Sequence, residues 1–251
     1  MPKDNGIGAS TKRREDVRFL TGHGKYTDDI NVLHQTYVHF LRSDVAHGKI
    51  TSIDTAEAAK MPGVVRIFTG ADFEGVGGLP CGWQVTDRHG EPMKEPPHPV
   101  LAQGKVRHVG EPIAAVVADT LDEARDAAEA IMVEIEDLPA AVDMKAALKD
   151  GAPKVHDELS DNLCYDWGFV EENKGAVEEA IKNAAHVTTL ELVNNRLVAN
   201  PMEPRVALGD YNRSDDMSTL YTTSQNPHVA RLVLSAFIGI APENKLRVIA
   251  P

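Results

Sequence analysis

The sequence predicts a mixed α/β (α+β) protein built in two parts. In the first half, a short apolar run at residues 113–118 precedes a helix that Thr120 can cap, and an alternating strand at 133–136 follows. In the second half, a strand at 217–223 leads into an amphipathic helix that begins at Pro227. With 251 residues, of which 42% are hydrophobic and 25% charged, the chain is long enough for one large or two medium domains.

The other elements of the first half follow from apolar periodicity and from the turn residues between the runs. Strands are predicted at residues 36–42, 48–54 and 64–69, and a short helix at 55–60. The Pro62-Gly63 pair ends that helix. Residues 70–103 are rich in glycine and proline and predict a long loop, either functional or an insertion. The α/β part of the chain is predicted to end near Asp143.

The second half begins with a connector, in which the spacing of residues 175–184 predicts a helix. Strands are predicted at residues 186–193, 206–211, 217–223 and 246–249. Asn226 is a favourable N-cap, Pro227 suits the first helical turn, and Gly239 marks the helix end. One face of this helix is predicted to pack on a core, because apolar residues recur at helical spacing. They are Val229, Leu232, Val233, Ala236 and Phe237.

Charge and hydropathy exclude several classes of partner. The net charge of −12 argues against nucleic acid, because neutralising phosphates requires clustered lysine and arginine. No apolar run is long enough to span a bilayer, and the polar N-terminus lacks the apolar region of a signal peptide. The sequence therefore predicts a cytoplasmic protein that contacts neither nucleic acid nor membrane.

Metal chemistry on side chains is also not predicted. Cys81 and Cys164 stand alone and are too few for an iron–sulfur cluster or a zinc site, so they are interpreted as buried or incidental thiols. The ten histidines form no ligand pattern, and no standard nucleophile or phosphate-binding motif is present. The predicted set of metal-ligating side chains is empty.

A polar turn in the segment TTSQNPH, residues 222–228, is the first candidate site. Gln225 stands at a strand end just before a helix start, where free N–H groups and the helix dipole favour a negatively charged partner. The alternative is that Gln225 only forms a hydrogen bond within the turn. Spacing alone leaves both interpretations open.

A second candidate is the segment ANPMEPRVAL, residues 199–208. Prolines on both sides of Met202 and Glu203 restrict the backbone, and Arg205 follows closely enough to pair with an acid. Glu203 and Arg205 either belong to a pocket or form a buried ion pair that stabilises the fold, and the residues alone favour neither alternative. Two other acidic sites, Asp28-Asp29 and Glu111, are predicted to have capping or structural roles.

Several segments together resemble one family. They are RFLTGHGKYTDDI, FLRSDVAHGKITSID, HVGEPIAAVVAD, AEAIMVEIEDLPAAVD, ANPMEPRVAL and TSQNPH with its helix. In this order they resemble the large, molybdopterin-binding subunit of the molybdenum hydroxylases, which include xanthine dehydrogenase, aldehyde oxidase and aerobic carbon monoxide dehydrogenase. The segment similarity slightly favours the carbon monoxide dehydrogenase-like branch.

The resemblance implies a domain organisation and a role for Gln225. Residues 14–143 would form the family's α/β hammerhead domain, 144–184 a connector, and 185–251 the N-terminal part of the first molybdopterin-binding domain. In the family, the glutamine of the S/T-Q-N turn lies beside the molybdenum, where its amide can donate a hydrogen bond. By this resemblance Gln225 is the catalytic and cofactor-binding residue of the chain.

The resemblance also implies a multi-subunit oxidoreductase that oxidises or hydroxylates a small substrate. Its molybdenum–molybdopterin would be shared with another polypeptide, because the family's glycine-rich loop and its glutamate base have no counterpart before Pro251. Electrons would pass to partner subunits that carry the iron–sulfur clusters and FAD, so this chain alone is expected to be inactive. The alternative is a non-catalytic assembly module or a truncated fragment.

Overall fold

The computed structural model describes residues 6–168 and 173–251 and shows a mixed α/β chain, which confirms the predicted α/β (α+β) class. The contacts divide the chain into two compact units. One comprises the described residues of His34–Val198 with Val233–Ile240, and the other comprises those of Met1–Leu33, Ala199–Leu232 and Ala241–Pro251.

The helices and strands are numbered along the chain. The helices are α1 (Asp16–Leu20), α2 (Leu121–Glu129), α3 (Met144–Ala147), α4 (Lys174–Lys182) and α5 (Pro227–Leu232). The strands are β1 (Tyr37–Arg42), β2 (Gly48–Asp54), β3 (Val64–Thr69), β4 (Lys105–Val106), β5 (Pro112–Ala118), β6 (Met132–Asp137), β7 (Ala207–Asn212), β8 (Met217–Thr222) and β9 (Leu246–Ile249).

The unit that begins at His34 contains two antiparallel three-stranded sheets. Their strand orders are β1-β5-β3 and β4-β2-β6. The apolar sequence PIAAVVA suits β5 to the central position, because a strand paired on both edges and covered by a helix is largely buried. Helix α2 packs on this sheet through Ala124, Ala127 and Ala128, whose small side chains allow close approach. One hydrophobic cluster of the unit therefore lies between α2 and β5, and a second surrounds Val106 and Ile113.

The cap of α2 forms as predicted. The Thr120 hydroxyl accepts a hydrogen bond from the backbone N–H of Glu123 at 3.2 Å, and it also lies 2.8 Å from Glu123 Oε2. This contact satisfies one of the N–H groups that every helix start leaves unpaired. The helix consequently begins at Leu121, as the sequence indicates.

Two predicted elements are wrong. The helix at residues 55–60 is only a 3-10 turn, Ala58–Lys60, because Asp54 Oδ1 accepts from the N–H of Ala56 at 2.9 Å and starts an Asx turn there. The strand at 186–193 does not form, and its residues are exposed. A strand needs a backbone partner for its N–H and C=O groups, and this stretch has none among the described residues. The alternation of apolar residues at 186–193 alone is therefore not sufficient to form a strand.

The second unit contains a mixed sheet of order β7-β8-β9. Strands β7 and β8 form an antiparallel hairpin, whereas β8 and β9 are parallel and are joined through α5. This is a strand–helix–strand crossover, and a parallel pair requires such a connection. The polar turn of the first candidate site lies between β8 and α5.

Helix α5 differs from the predicted amphipathic helix in a specific way. It ends at Leu232 and continues as a π-helical turn, Val233–Phe237, in which the N–H of Ile238 donates to the carbonyl of Val233 at 3.0 Å. The wider turn changes the angular spacing of the side chains from Val233 onward. Val229, Leu232 and Phe237 are 46% to 57% exposed, and the prediction that they pack on a core is wrong.

Candidate functional site

The candidate site lies at the carboxyl ends of the parallel strands β8 and β9. Tyr221 of β8 is in register with Ile249 of β9, so the two strand ends meet at the same edge of the sheet. Gln225 follows β8 by three residues and therefore lies at that edge. Ligand sites in α/β folds are commonly found outside the carboxyl ends of parallel strands.

The four residues Thr223, Ser224, Gln225 and Asn226 are called the Gln225 turn here. Ser224 Oγ accepts from the N–H of Asn226 at 3.1 Å, and Asn226 Oδ1 accepts from the N–H of Val229 at 3.2 Å. The predicted N-cap is thus confirmed. The side chains beside Gln225 are used to order the backbone of the turn.

The Gln225 side chain itself is exposed, and within residues 6–168 and 173–251 it forms no hydrogen bond. The alternative that it merely stabilises the turn is therefore not supported, because Ser224 and Asn226 form the contacts of the turn. A glutamine amide offers two N–H donors and one acceptor oxygen without a titrating group. The Gln225 amide is consequently available to a ligand at the sheet edge.

Glu203 contacts the other end of the Gln225 turn. Its Oε1 lies 3.4 Å from the Thr223 hydroxyl and 3.4 Å from the backbone nitrogen of Thr27. The ion pair with Arg205, one of the two alternatives for this segment, does not occur among the described residues, and Arg205 is exposed. Glu203 therefore accepts hydrogen bonds from neutral donors instead of forming a salt bridge.

The start of β7 holds the strand end in place. The Val206 carbonyl accepts from the N–H of Thr223 at 3.2 Å and from the Thr222 hydroxyl at 3.1 Å. Since Val206 directly precedes β7, these bonds extend the β7–β8 hairpin to the beginning of the Gln225 turn. The backbone on both sides of Gln225 is thus ordered by hydrogen bonds.

A cleft of about 550 Å³ lies beside α5 and β9. Arg231 of α5 lies in its lining and forms an ion pair of 2.5 Å with Glu243. Gln225 is not among the described residues that line this cleft. The candidate site is therefore defined by the Gln225 turn and the sheet edge, not by the cleft.

The other candidates from the sequence have structural roles or none. Asp29 Oδ2 accepts from the N–H of Tyr26 at 2.8 Å, which confirms a turn role. Glu111 is buried and accepts from the N–H of Arg107 at 2.5 Å, which confirms a structural role. Cys81 and Cys164 are free and exposed, so the interpretation as buried thiols is wrong and the alternative of incidental thiols remains. Among the described residues, no group of three or more histidine, cysteine, aspartate or glutamate side chains could hold a metal ion.

Sequence reasoning missed a polar cluster around His156. Burial of the ring and the positive charge of Arg107 lower the pKa of His156, while Glu158 and Glu111 act in the opposite direction. His156 Nδ1 lies 3.5 Å from Glu158 Oε1. The residues come from segments far apart in sequence, so only the folded chain brings them together.

Comparison with known families decides what the chain is. Residues 21–139 match the family profile described as aldehyde oxidase and xanthine dehydrogenase, a/b hammerhead domain. Residues 155–251 match the molybdopterin cofactor-binding domain. The chain belongs to the molybdenum hydroxylase family. It corresponds to an N-terminal portion of the family's large, molybdopterin-binding subunit.

Individual relatives agree with this assignment. The chain is 38% identical to the nicotine 6-hydroxylase large subunit of Paenarthrobacter nicotinovorans, over 98% of this chain and 29% of the relative. It is 32% identical to the carbon monoxide dehydrogenase large chain of Hydrogenophaga pseudoflava, over 95% of this chain and 30% of the relative. This molybdenum hydroxylase chain thus spans about three tenths of the length of these relatives.

Solved structures show the same fold. Quinoline 2-oxidoreductase from Pseudomonas putida 86 superimposes with a TM-score of 0.82 at 34% identity, covering 98% of this chain and 30% of that one. The Cu,Mo-containing carbon monoxide dehydrogenase superimposes with a TM-score of 0.79 at 31% identity, with 98% and 31% coverage. In the described part of this molybdenum hydroxylase chain, no helix has the length and apolar character needed to cross a bilayer.

Proposed function

We propose that this chain contributes Gln225 to the molybdenum–molybdopterin site of an oxidoreductase that oxidises or hydroxylates a small substrate. The observation that carries the proposal is the exposed Gln225 amide at the carboxyl edge of β8 and β9. It lies within residues 155–251, the range that matches the molybdopterin cofactor-binding domain. Gln225 is the catalytic and cofactor-binding residue of this proposal.

The amide of Gln225 fits a role toward an anionic cofactor. Its N–H group can donate to a negatively charged acceptor atom, and it stays neutral across the pH range in which proteins function. Ser224 and Asn226 order the backbone next to Gln225, so little conformational entropy is lost when the cofactor binds. When bound, the molybdenum cofactor supplies the two-electron oxidation of the substrate.

The domain organisation proposed for the chain follows the resemblance. Residues 14–143 form the hammerhead domain, 144–184 a connector, and 185–251 the N-terminal part of the first molybdopterin-binding domain. The matches at residues 21–139 and 155–251 support two domains of these types. The exact limits of each domain are part of the proposal.

The partners in this proposal are an iron–sulfur subunit and a FAD subunit, together with the rest of the molybdopterin-binding portion. Relatives bear the names large subunit, large chain and complex subunit gamma, which supports a multi-subunit assembly. The chain spans about three tenths of the length of such relatives, and the activity proposed is that of the complete assembly. The proposed substrate, electron path and partners are those of the complete assembly.

The substrate proposed for testing first is a nitrogen-containing aromatic ring. The relatives named for nicotine and quinoline are 38% and 34% identical, whereas those named for carbon monoxide are 32% and 31% identical. The difference is small, so carbon monoxide and xanthine belong in the same assay. Product formation from each substrate ranks the classes directly.

The test is the metal content and activity of the native assembly isolated through a tag on this chain. We expect molybdenum and pterin in stoichiometric amount, with iron–sulfur and flavin spectra from co-purifying subunits. The tagged chain expressed alone serves as the control and should give no turnover. An assembly that contains this chain in stoichiometric amount but lacks molybdenum contradicts the proposal.

A further inference from the structure

Glu203 joins two segments that are far apart in sequence at one oxygen atom. Its Oε1 receives the backbone N–H of Thr27 and the hydroxyl of Thr223, each at 3.4 Å. A carboxylate only accepts, so the N–H of Thr27 directs its hydrogen toward Glu203. The single hydrogen of the Thr223 hydroxyl has two acceptors within reach, Glu203 Oε1 and the Pro204 carbonyl. The first donor belongs to the N-terminal segment and the second to the Gln225 turn.

The Thr27 side of this contact is rigid. Thr27 is 1% exposed and begins the 3-10 turn Thr27–Asp29. The N–H of Ile30, the residue after this turn, donates to the Thr27 carbonyl at 3.1 Å. Asp29 Oδ2 accepts from the N–H of Tyr26 at 2.8 Å. The N–H of Thr27 therefore has a fixed direction when it meets the carboxylate of Glu203.

The Thr223 side leads directly to Gln225, two residues further along the chain. The Thr223 hydroxyl can donate to Glu203 Oε1 or to the Pro204 carbonyl, which lies 3.2 Å away. Both acceptors belong to the segment between Pro201 and Arg205, whose two prolines restrict the backbone. A change at Glu203 therefore reaches Gln225 through a short and ordered path.

The charge of Glu203 does not serve a salt bridge among the described residues. Arg205, the nearest cation in sequence, is exposed and forms no ion pair within residues 6–168 and 173–251. A half-buried carboxylate is stabilised by hydrogen bonds from neutral donors. Losing this acceptor leaves the N–H of Thr27 unpaired, whereas the Thr223 hydroxyl keeps the Pro204 carbonyl. Glu203 therefore acts as a hydrogen-bond acceptor and not as the anion of a salt bridge among the described residues.

We infer that Glu203 is a positioning residue for Gln225: its carboxylate holds the Gln225 turn against the N-terminal turn at Thr27. The inference rests on the proposed function only for the role of Gln225 itself. The hydrogen bonds of Glu203 keep the amide of Gln225 at the carboxyl edge of β8 and β9. Glu203 does not itself contact substrate or cofactor.

Amide hydrogen exchange of the full chain tests the inference without any activity assay. In Glu203→Ala, exchange should accelerate roughly tenfold at residues 24–30 and 220–226, the usual effect of losing one hydrogen bond. The peptide containing β9 should keep its wild-type rate. Glu203→Gln retains an acceptor oxygen and should keep most of the protection. Glu243→Gln, which removes a carboxylate paired with Arg231 in the same unit, is the matched control and should leave residues 24–30 unchanged.

Three results of the exchange experiment overturn the inference. They are an unchanged rate at 220–226 in Glu203→Ala, an equal acceleration in β9, and a Glu203→Gln variant as fast as Glu203→Ala. The first shows that Glu203 does not hold the turn, the second shows general loosening, and the third shows that the acceptor oxygen is not what matters.

A turnover experiment in the assembled complex separates this inference from the proposed function. If Glu203 acts through Gln225, Glu203→Ala lowers kcat with KM unchanged, and the double variant is no slower than Gln225→Ala alone. If the loss of kcat in the variant with both Glu203→Ala and Gln225→Ala is the product of the two single losses, Glu203 does not act through Gln225. If Gln225→Ala has full turnover, the proposed function fails, whereas the exchange result still decides whether Glu203 positions the turn.

Discussion

Asn226 caps α5: its Oδ1 accepts a hydrogen bond from the backbone N–H of Val229 at 3.2 Å. The residue next to Gln225 therefore determines where the helix begins. Ser224 Oγ in turn accepts from the N–H of Asn226 at 3.1 Å, so the cap and the turn form one hydrogen-bonded unit. The stability of the helix start and the placement of Gln225 are coupled through Asn226.

The first prediction concerns this cap. Asn226→Ala removes the acceptor for the N–H of Val229 and should lower the free energy of unfolding by about 1 kcal/mol. Asn226→Ser retains a capping oxygen and should cost less. Urea denaturation of both variants measures the difference. An Ala variant as stable as the Ser variant contradicts a capping role for Asn226.

The second prediction concerns Gln225. Gln225→Ala in the assembled complex should lower turnover on the order of 10²-fold, because a donor directed at developing negative charge is lost. The unfolding free energy should hardly change, since the side chain is exposed. Gln84→Ala, at an exposed glutamine of the long loop, is the control. Wild-type turnover of Gln225→Ala at normal molybdenum content rules out the assigned role.

The third prediction concerns packing of α2 on the central strand β5. Ala127 is fully buried there, so Ala127→Leu should cost about 1–3 kcal/mol through overpacking. Ala180→Leu places the same change at an exposed position of α4 and should alter stability by less than about 0.5 kcal/mol. Denaturant midpoints of the two variants give the comparison. Equal midpoints show that α2 does not pack closely on the sheet.

The fourth prediction concerns pH. Burial and the nearby Arg107 lower the pKa of His156 below its unfolded value of 6.5, so the unfolded chain takes up the proton more readily. The contribution of His156 to the free energy of unfolding is therefore fully present above pH 6.5 and is lost as the pH falls through the folded-state pKa. His156→Asn should therefore lose less stability than wild type between pH of about 7.5 and about 5. Identical profiles for His156→Asn and wild type contradict the prediction.

The fifth prediction concerns the stretch at residues 186–198. Leu190 and Val193 are 75% and 81% exposed, and no helix or strand includes them. Trypsin should therefore cut after Arg196 before it cuts after Arg125, because the backbone around Arg125 is held in α2. Mass spectrometry of early fragments identifies the order of cleavage. Cleavage at Arg125 first contradicts an open backbone at 186–198.

Much of the fold follows from local patterns. The Thr120 cap, the Asn226 cap and the apolar run of β5 depend on neighbouring residues, so sequence reasoning located all three. The strand at 186–193 failed because apolar alternation does not supply a pairing partner. The predicted packing of Val229, Leu232 and Phe237 failed because apolar residues at helical spacing do not by themselves supply the surface against which a helix packs.

The sequence by itself determined the α/β class and the two cap positions, because each depends on residues close together in the chain. The family resemblance of the sequence made Gln225 the candidate. Only the tertiary structure decided what Glu203 does. Its neighbours in sequence indicated a pair with Arg205, whereas folding brings Thr27 and Thr223 to its carboxylate. A carboxylate binds whichever donors the fold places within reach, and Thr27 lies 176 residues away in sequence. Contacts across such separations depend on packing, which local patterns do not contain.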